Sequence, residues 1–422
     1  MRVVYMAREY PPDVYGGAGV HLEHLAREMA RLAQVEVKCF GDHPVTGDNP
    51  VILRYPHDGA LFAANPELSR DALATLQTGL RFAALPVAAD VVHCHTWYSH
   101  LGGVLAKLAY GVPLVVTLHS LEPLRPWKRE QLGRGYDISC WVERTALEMA
   151  DAVIAVSRSE GEEVLRRFDV PPERLHVVPN GVDTSVYRKV DGTAVLRKHD
   201  IDPGHPFVLF VGRISRQKGI LHFLRAAEQL APEVGVVLVA ASPDAPGLEG
   251  EVESAVEALR RHRTGVTWLR TMLPRDETIA LYSEAAVFCC PSVYEPFGII
   301  NLEAMACETP VVGTAVGGIR ETVVPEETGL LVDLGPRDET GTEPADPGRL
   351  AEDLAAAMSR LIDDPDRRAE LGRRGRRRVV ETYGWDRIAA QVHEIYRQVK
   401  GEPAEAGKAL PAERPRRGKE RR

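Results

Sequence analysis

The chain has 422 residues, 44% of them hydrophobic and 27% charged, with a formal net charge of −8. This composition excludes a largely disordered, collagenous or disulfide-scaffold chain, and no stretch reaches the roughly 18 uninterrupted apolar residues of a membrane helix. The acidic balance argues against a general nucleic-acid binder, and at roughly 150 residues per domain the length suits two α/β domains.

A first strand is expected from Arg2 to Ala7. It is too short for the apolar core of a secretory signal, so the expectation is a cytoplasmic protein. Arg8-Glu9-Tyr10-Pro11-Pro12 follows, and Gly16-Gly17-Ala18-Gly19 then opens a helical pattern that runs from Val20 to Leu32. Glycines at a helix start let backbone N–H groups meet a phosphate; a plain tight turn reads the same way. The dinucleotide fingerprint fails at Leu22, where glycine or alanine is needed. Further strands are expected at Val35–Phe40, Asp90–His95, Pro113–Leu118 and Ala152–Val156, with a helix at Gly102–Ala109. Ser157-Arg158-Ser159-Glu160 has the spacing of a capping box.

His93, Cys94 and His95 share one strand, where alternate side chains point to opposite faces, so the three cannot hold one metal ion. His119 and the pair His95 and Trp97 end adjacent strands. A histidine there can bond a substrate hydroxyl, and Trp97 can offer a sugar an aromatic platform.

The rhythm breaks after Pro179-Asn180-Gly181, and the polar segment Thr184–His205 reads as a linker. Strands resume at Phe207–Val211, Val236–Ala240, Val266–Leu269, Val287–Cys290 and Pro310–Val312. The pattern predicts an α/β chain with two doubly wound, Rossmann-like domains, over residues 1–188 and 206–385. An amphipathic helix over about 386–400 is expected to pack back on the first domain, and the polar tail 401–422 to be disordered. Ligands in such sheets bind beyond the carboxyl ends of the strands, so the two domains should face each other across a cleft.

In the second domain Arg213 and Lys218 flank the loop after the first strand, a placement that suits a diphosphate. Glu295 and Glu303 follow a later strand, with Gly298 and Ile299 opening the helix between them; carboxylates there can accept from sugar or ribose hydroxyls. Asp364-Pro365-Asp366 reads as a helix cap rather than a metal site, and the run from Arg373 to Arg378 as a solvated helix face.

Together Gly16-Gly17-Ala18-Gly19, His119, Arg213-x4-Lys218 and Glu295-x7-Glu303 resemble the retaining, two-domain GT-B glycosyltransferases of family 4, the bacterial glycogen synthases among them. Glu9-Tyr10-Pro11-Pro12 followed by Tyr15-Gly16-Gly17-Ala18-Gly19-Val20-His21 is similar to the short actinobacterial, glycogen-synthase-like members. The resemblance implies ADP-glucose as donor, with glucose 1-phosphate or an α-glucan chain as acceptor. It also implies no cofactor or metal, no nucleic-acid or membrane partner, and leaves self-association open. His119, Arg213, Lys218 and Glu295 would be catalytic. Gly16, Gly17, Gly298, Ile299 and Glu303 would join them around the donor, Glu303 at the ribose. Chain-elongating members carry lysine where this chain has Val14, which turns the expectation toward the smaller acceptor and maltose 1-phosphate. Its phosphate would be held by Arg125, Lys128 and Arg129, with His95 and Trp97 beside the sugar. A GT-B nucleotide-sugar epimerase and a silent glucan-binding protein are the competing readings.

Overall fold

The computed structural model describes residues 1–14, 16–62, 70–84, 87–245 and 247–402. Tyr15 and the tail beyond residue 402 therefore lie outside the described residues. Two all-parallel sheets organise the chain. The first holds β1 (Arg2–Met6), β2 (Gln34–Phe40), β3 (Val51–Tyr55), β4 (Val91–His95), β5 (Leu114–Thr117), β6 (Ala152–Ala155) and β7 (Leu175–Val177), in the order β3-β2-β1-β4-β5-β6-β7. The second holds β8 (Phe207–Arg213), β9 (Gly235–Ala241), β10 (Val266–Leu269), β11 (Val287–Cys290), β12 (Val311–Thr314) and β13 (Gly329–Val332), ordered β10-β9-β8-β11-β12-β13. The strand order turns back between β1 and β4 and again between β8 and β11. Ligands of open α/β sheets sit at such reversals.

Burial follows the period of two. Val3 and Tyr5 face one core layer of the first sheet, Val4 and Met6 the other. The helix Trp385–Val399 completes the first of these layers with Trp385, Ile388, Val392 and Tyr396. The last of the described helices thus belongs to the core of the first half. A single cluster built around Phe210, Phe223 and Phe288 fills the second half.

Several elements differ from the sequence expectation. β3, β7 and β13 were not foreseen, and the linker contains the helix Thr193–Lys198. The first helix begins at Gly17 and ends at Met29, three residues earlier at each end than its apolar period suggests. In the capping box the Ser157 hydroxyl accepts from the Glu160 amide, but Glu160 reaches back to the Val156 amide. Asp364 caps the helix Pro365–Thr382 by accepting from the Arg367 amide. The arginine run there is not merely solvated: Arg376 donates to the carbonyls of Tyr187, Thr184 and Ala306, and Arg378 to that of Glu321. These bonds tie the helix to the linker and to the helices Ile299–Ala306 and Ile319–Thr322 of the second half.

Candidate active site

The cleft lies where the carboxyl ends of the two sheets meet. Tyr294 crosses it, its hydroxyl accepting from the Leu121 amide at 3.2 Å. Ser159 N–H donates to Glu321 Oε1 at 3.2 Å, and Gln131 donates to the Asp244 carbonyl. An alanine methyl at Gly17 would sit 3.7 Å from Ile299, so the glycine turn of the first half faces the helix start of the second.

On the second sheet, the expected diphosphate and sugar residues converge at the β8/β11 reversal. Lys218 Nζ lies 2.6 Å from Glu295 Oε2, which also accepts from the Ser292 hydroxyl at 3.1 Å. Both side chains are mostly shielded, at 17% and 7% exposure, so the pair is held rather than free in solvent. The backbone around it demands glycine. Gly219 has φ +66, and a Cβ there would meet the Pro291 carbonyl oxygen at 2.0 Å. At Gly317 (φ +45) a Cβ would meet the Glu295 carbonyl oxygen at 2.0 Å. Arg213 reaches Asp244 only at 3.9 Å. Gly298 caps the helix Ile299–Ala306 with φ +87. Glu303 accepts from the Tyr282 hydroxyl at 3.2 Å, and burial lifts its carboxyl above the usual carboxylate range.

On the first sheet, histidines gather beneath His119. His95 Nδ1 and His119 Nε2 are 3.0 Å apart, and the His21 ring stands edge-on to His119 with centroids 4.7 Å apart. His21 Nδ1 bonds Asn180 Oδ1 at 2.6 Å. His93 is fixed from both sides, by Tyr396 at 2.6 Å and Thr117 at 2.7 Å. Burial drives the His21 pKa down to about 4 and holds His93, His95 and His119 well below the ordinary histidine range. At neutral pH these are uncharged imidazoles, able to exchange hydrogen bonds with a hydroxyl but not to act as standing acids. As expected, Cys94 faces away from His93 and His95. The nitrogens of His21, His95 and His119 lie within 4.8 Å of one another, a grouping that joins a helix to two strand ends and was not visible in the sequence.

Other expected residues fall elsewhere. Trp97 is 2% exposed and packs on Tyr98 at 4.3 Å, so it is core rather than a platform. His95 is 1% exposed and supports His119 from behind. Lys128 is buried against Glu122 at 2.7 Å, and Arg129 forks onto the exposed Asp137. The charges of both are already engaged inside the first half. The Gly16 amide, expected to meet phosphate, is taken by Glu9 Oε2 at 2.8 Å. Arg125 alone of the acceptor cations keeps a polar neutral partner, Ser120 at 3.0 Å. Sequence reasoning missed Tyr294, Asn180 and His21, whose partners are supplied only by tertiary structure.

Comparison with known proteins gives the same architecture. Residues 15–186 match the family model described as Glycosyltransferase Family 4, and residues 193–378 that described as Glycosyl transferases group 1. The chain is 49% identical over 407 residues to an α-maltose-1-phosphate synthase of Mycolicibacterium smegmatis, covering 94% of this chain and 100% of that one. It is 45% identical over 403 residues to one of Mycobacterium tuberculosis, with 94% and 100% covered. A D-inositol 3-phosphate glycosyltransferase of Thermobispora bispora is 32% identical over 403 residues, covering 90% and 89%. Among solved structures, sucrose-phosphate synthase from Thermosynechococcus elongatus superposes with a TM-score of 0.77 at 26% identity, covering 95% of this chain and 100% of that one. No helix among the described residues is long and apolar enough to cross a membrane.

Proposed function

This chain belongs to the two-domain GT-B glycosyltransferases of family 4, of the α-maltose-1-phosphate synthase type, and from that premise we propose that it transfers glucose from ADP-glucose to α-glucose 1-phosphate, with retention, to make α-maltose 1-phosphate for α-glucan synthesis. The observation that carries the reading is the likeness at 49% identity along the whole length of a relative of that name. The cleft's chemistry agrees with it.

Arg213 and Lys218 are the cations at the mouth of β8, where a donor diphosphate would lie. As the bond from glucose C1 to the β-phosphate oxygen breaks, charge grows on that oxygen, and cations already in place need no reorganisation to receive it. Glu295 would turn from Lys218 to the sugar hydroxyls, and neutral His119 would meet the glucose from the opposite wall. The acceptor 4-hydroxyl forms the new bond to C1 on the face that ADP leaves, and its proton passes to the departing phosphate oxygen. Atoms and charge then balance without an enzyme nucleophile, which would require a second step. Glu303, half-buried beside Tyr282, is the residue we assign to the ribose.

Release of ADP from ADP-glucose, with glucose 1-phosphate or glycogen supplied as acceptor and UDP-glucose run in parallel, tests the reading. Fast release only with ADP-glucose and glucose 1-phosphate is expected. A preference for glycogen would replace it with polymer elongation. A changed sugar configuration without transfer would indicate an epimerase.

A further inference from the structure

We propose that the mouth of the first sheet carries a phosphomonoester site built from Arg8, Arg125, Ser120 and the Tyr98 hydroxyl, with His57 at its rim, which takes the phosphate of a sugar-phosphate acceptor. The inference rests on the acceptor reading above and replaces the expected trio of Arg125, Lys128 and Arg129.

Position comes first. Arg8 stands two residues past β1, and Tyr98 lies in the first turn after β4. These two strands flank the reversal of the first sheet, where a ligand crevice opens. Ser120 and Arg125 follow β5, with Ser120 directly after His119. An acceptor whose sugar meets His119 would therefore carry its phosphate toward this group.

The side chains converge. The Arg8 guanidinium lies 4.4 Å over the Tyr98 ring. Burial raises the Tyr98 pKa, Arg8 and Arg125 pull it down, and Glu122 and Glu9 add to the rise. Arg125 donates to Ser120 Oγ at 3.0 Å, while its Nε is buried without a partner. His57, just beyond β3, stacks on Phe40 at 5.0 Å and has its pKa lowered by burial and then by Arg8.

The cations at this mouth are unequally engaged. Lys128 neutralises Glu122 at 2.7 Å, whereas Arg125 stays 3.8 Å from that carboxylate. Glu143 is pushed above the carboxylate range by burial and by Glu122, and it accepts from the Glu122 amide at 2.9 Å. Glu9 accepts from the Gly16 amide. Arg8 is exposed and lies over the Tyr98 ring. Two guanidiniums, one over the Tyr98 ring and one bonded to the Ser120 hydroxyl, are the donors that suit a dianionic phosphate. A neutral glucan end has no group for them.

Calorimetric titration with glucose 1-phosphate in the presence of saturating ADP, on wild type, Arg8→Gln, Arg125→Gln and Arg8→Lys, tests the site. Wild type should bind, both glutamine variants should lose at least tenfold in affinity, and Arg8→Lys should recover part of the loss, with ADP affinity within about twofold throughout. Unchanged binding in Arg8→Gln and Arg125→Gln would overturn the site while leaving the transfer reaction standing. Should wild type fail to bind glucose 1-phosphate yet extend glycogen, the site and the acceptor reading would fall together. Matched thermal transitions separate a lost contact from a lost fold. If Arg125→Gln does not fold, the exposed Arg8 pair decides.

Discussion

Glu295 holds Lys218 at 2.6 Å in the cleft, and both are mostly shielded from water. On the proposed function, a nucleoside diphosphate would share Lys218 with that carboxylate. Changing Glu295→Gln keeps the shape, removes one negative charge and frees the cation. At roughly 5 Å from the diphosphate and an effective dielectric of about 60, the lost repulsion is about 1 kcal/mol, or roughly sixfold tighter ADP binding. On the proposed role of Glu295 the same change would also weaken its bond to the donor-sugar hydroxyls, so kcat should fall by about 10²–10³. The two effects have opposite signs in one variant. Titrating ADP by calorimetry and measuring ADP release from ADP-glucose would read both. Weaker ADP binding in Glu295→Gln would refute the competition for Lys218 and imply that Glu295 serves the nucleotide directly.

Lowering pH should destabilise the fold. Burial depresses His21 to about 4 and His100 to about 3, and takes His93, His95 and His119 down as well, so these groups bind protons only on unfolding and their contribution drains away below about pH 6.5. Glu160, raised to about 7, acts oppositely with Glu143 and Glu303, their contribution being lost as pH rises above about 4.5. The histidines outweigh them, so urea melts should show a net loss of about 2 kcal/mol from pH 6 to pH 5; a flat profile would mean the cluster is hydrated. Tyr294→Phe leaves the Leu121 amide without its cross-cleft acceptor, so the melting temperature should fall and the donor KM rise several-fold, and no change in either would deny Tyr294 a role in holding the halves together. Gly219→Ala drives a methyl into the Pro291 carbonyl at a positive φ and displaces Lys218, so kcat/KM should drop at least about 10²-fold, and near-wild-type turnover would contradict the tight packing of that loop.

The sequence carried the interior of both sheets and lost their margins. β1, β4, β5, β8 and β11 are buried apolar runs whose continuity needs no partner to be seen. β3 buries only Ile52 of its five residues, and β7 spans only Leu175–Val177, so neither stands out from a loop. The start of the first helix was placed late because glycine is a poor helix former. Gly19 is nevertheless in the helix, and any Cβ there would meet Val14 at 2.9 Å and Glu9 at 3.0 Å. The loop residues Arg213, Lys218, Glu295 and Gly298 were legible from their places after strands. The partner of Lys218 is far along the chain, and Asn180 meets His21 only because the crossover loop folds over the first helix. Lys128 misled for a local reason, since Glu122 one helical reach away consumes its charge. A strand period could show His93 and His95 on one face, but not that His21 would join them.

The most direct test of the central claim is to follow ADP-glucose and glucose 1-phosphate by proton and phosphorus NMR as the purified protein turns them over. One new α-1,4 linkage should form with each ADP, and the sugar phosphate should remain esterified at the anomeric position. A β linkage, free phosphate, or transfer seen only when glucan is supplied would contradict it.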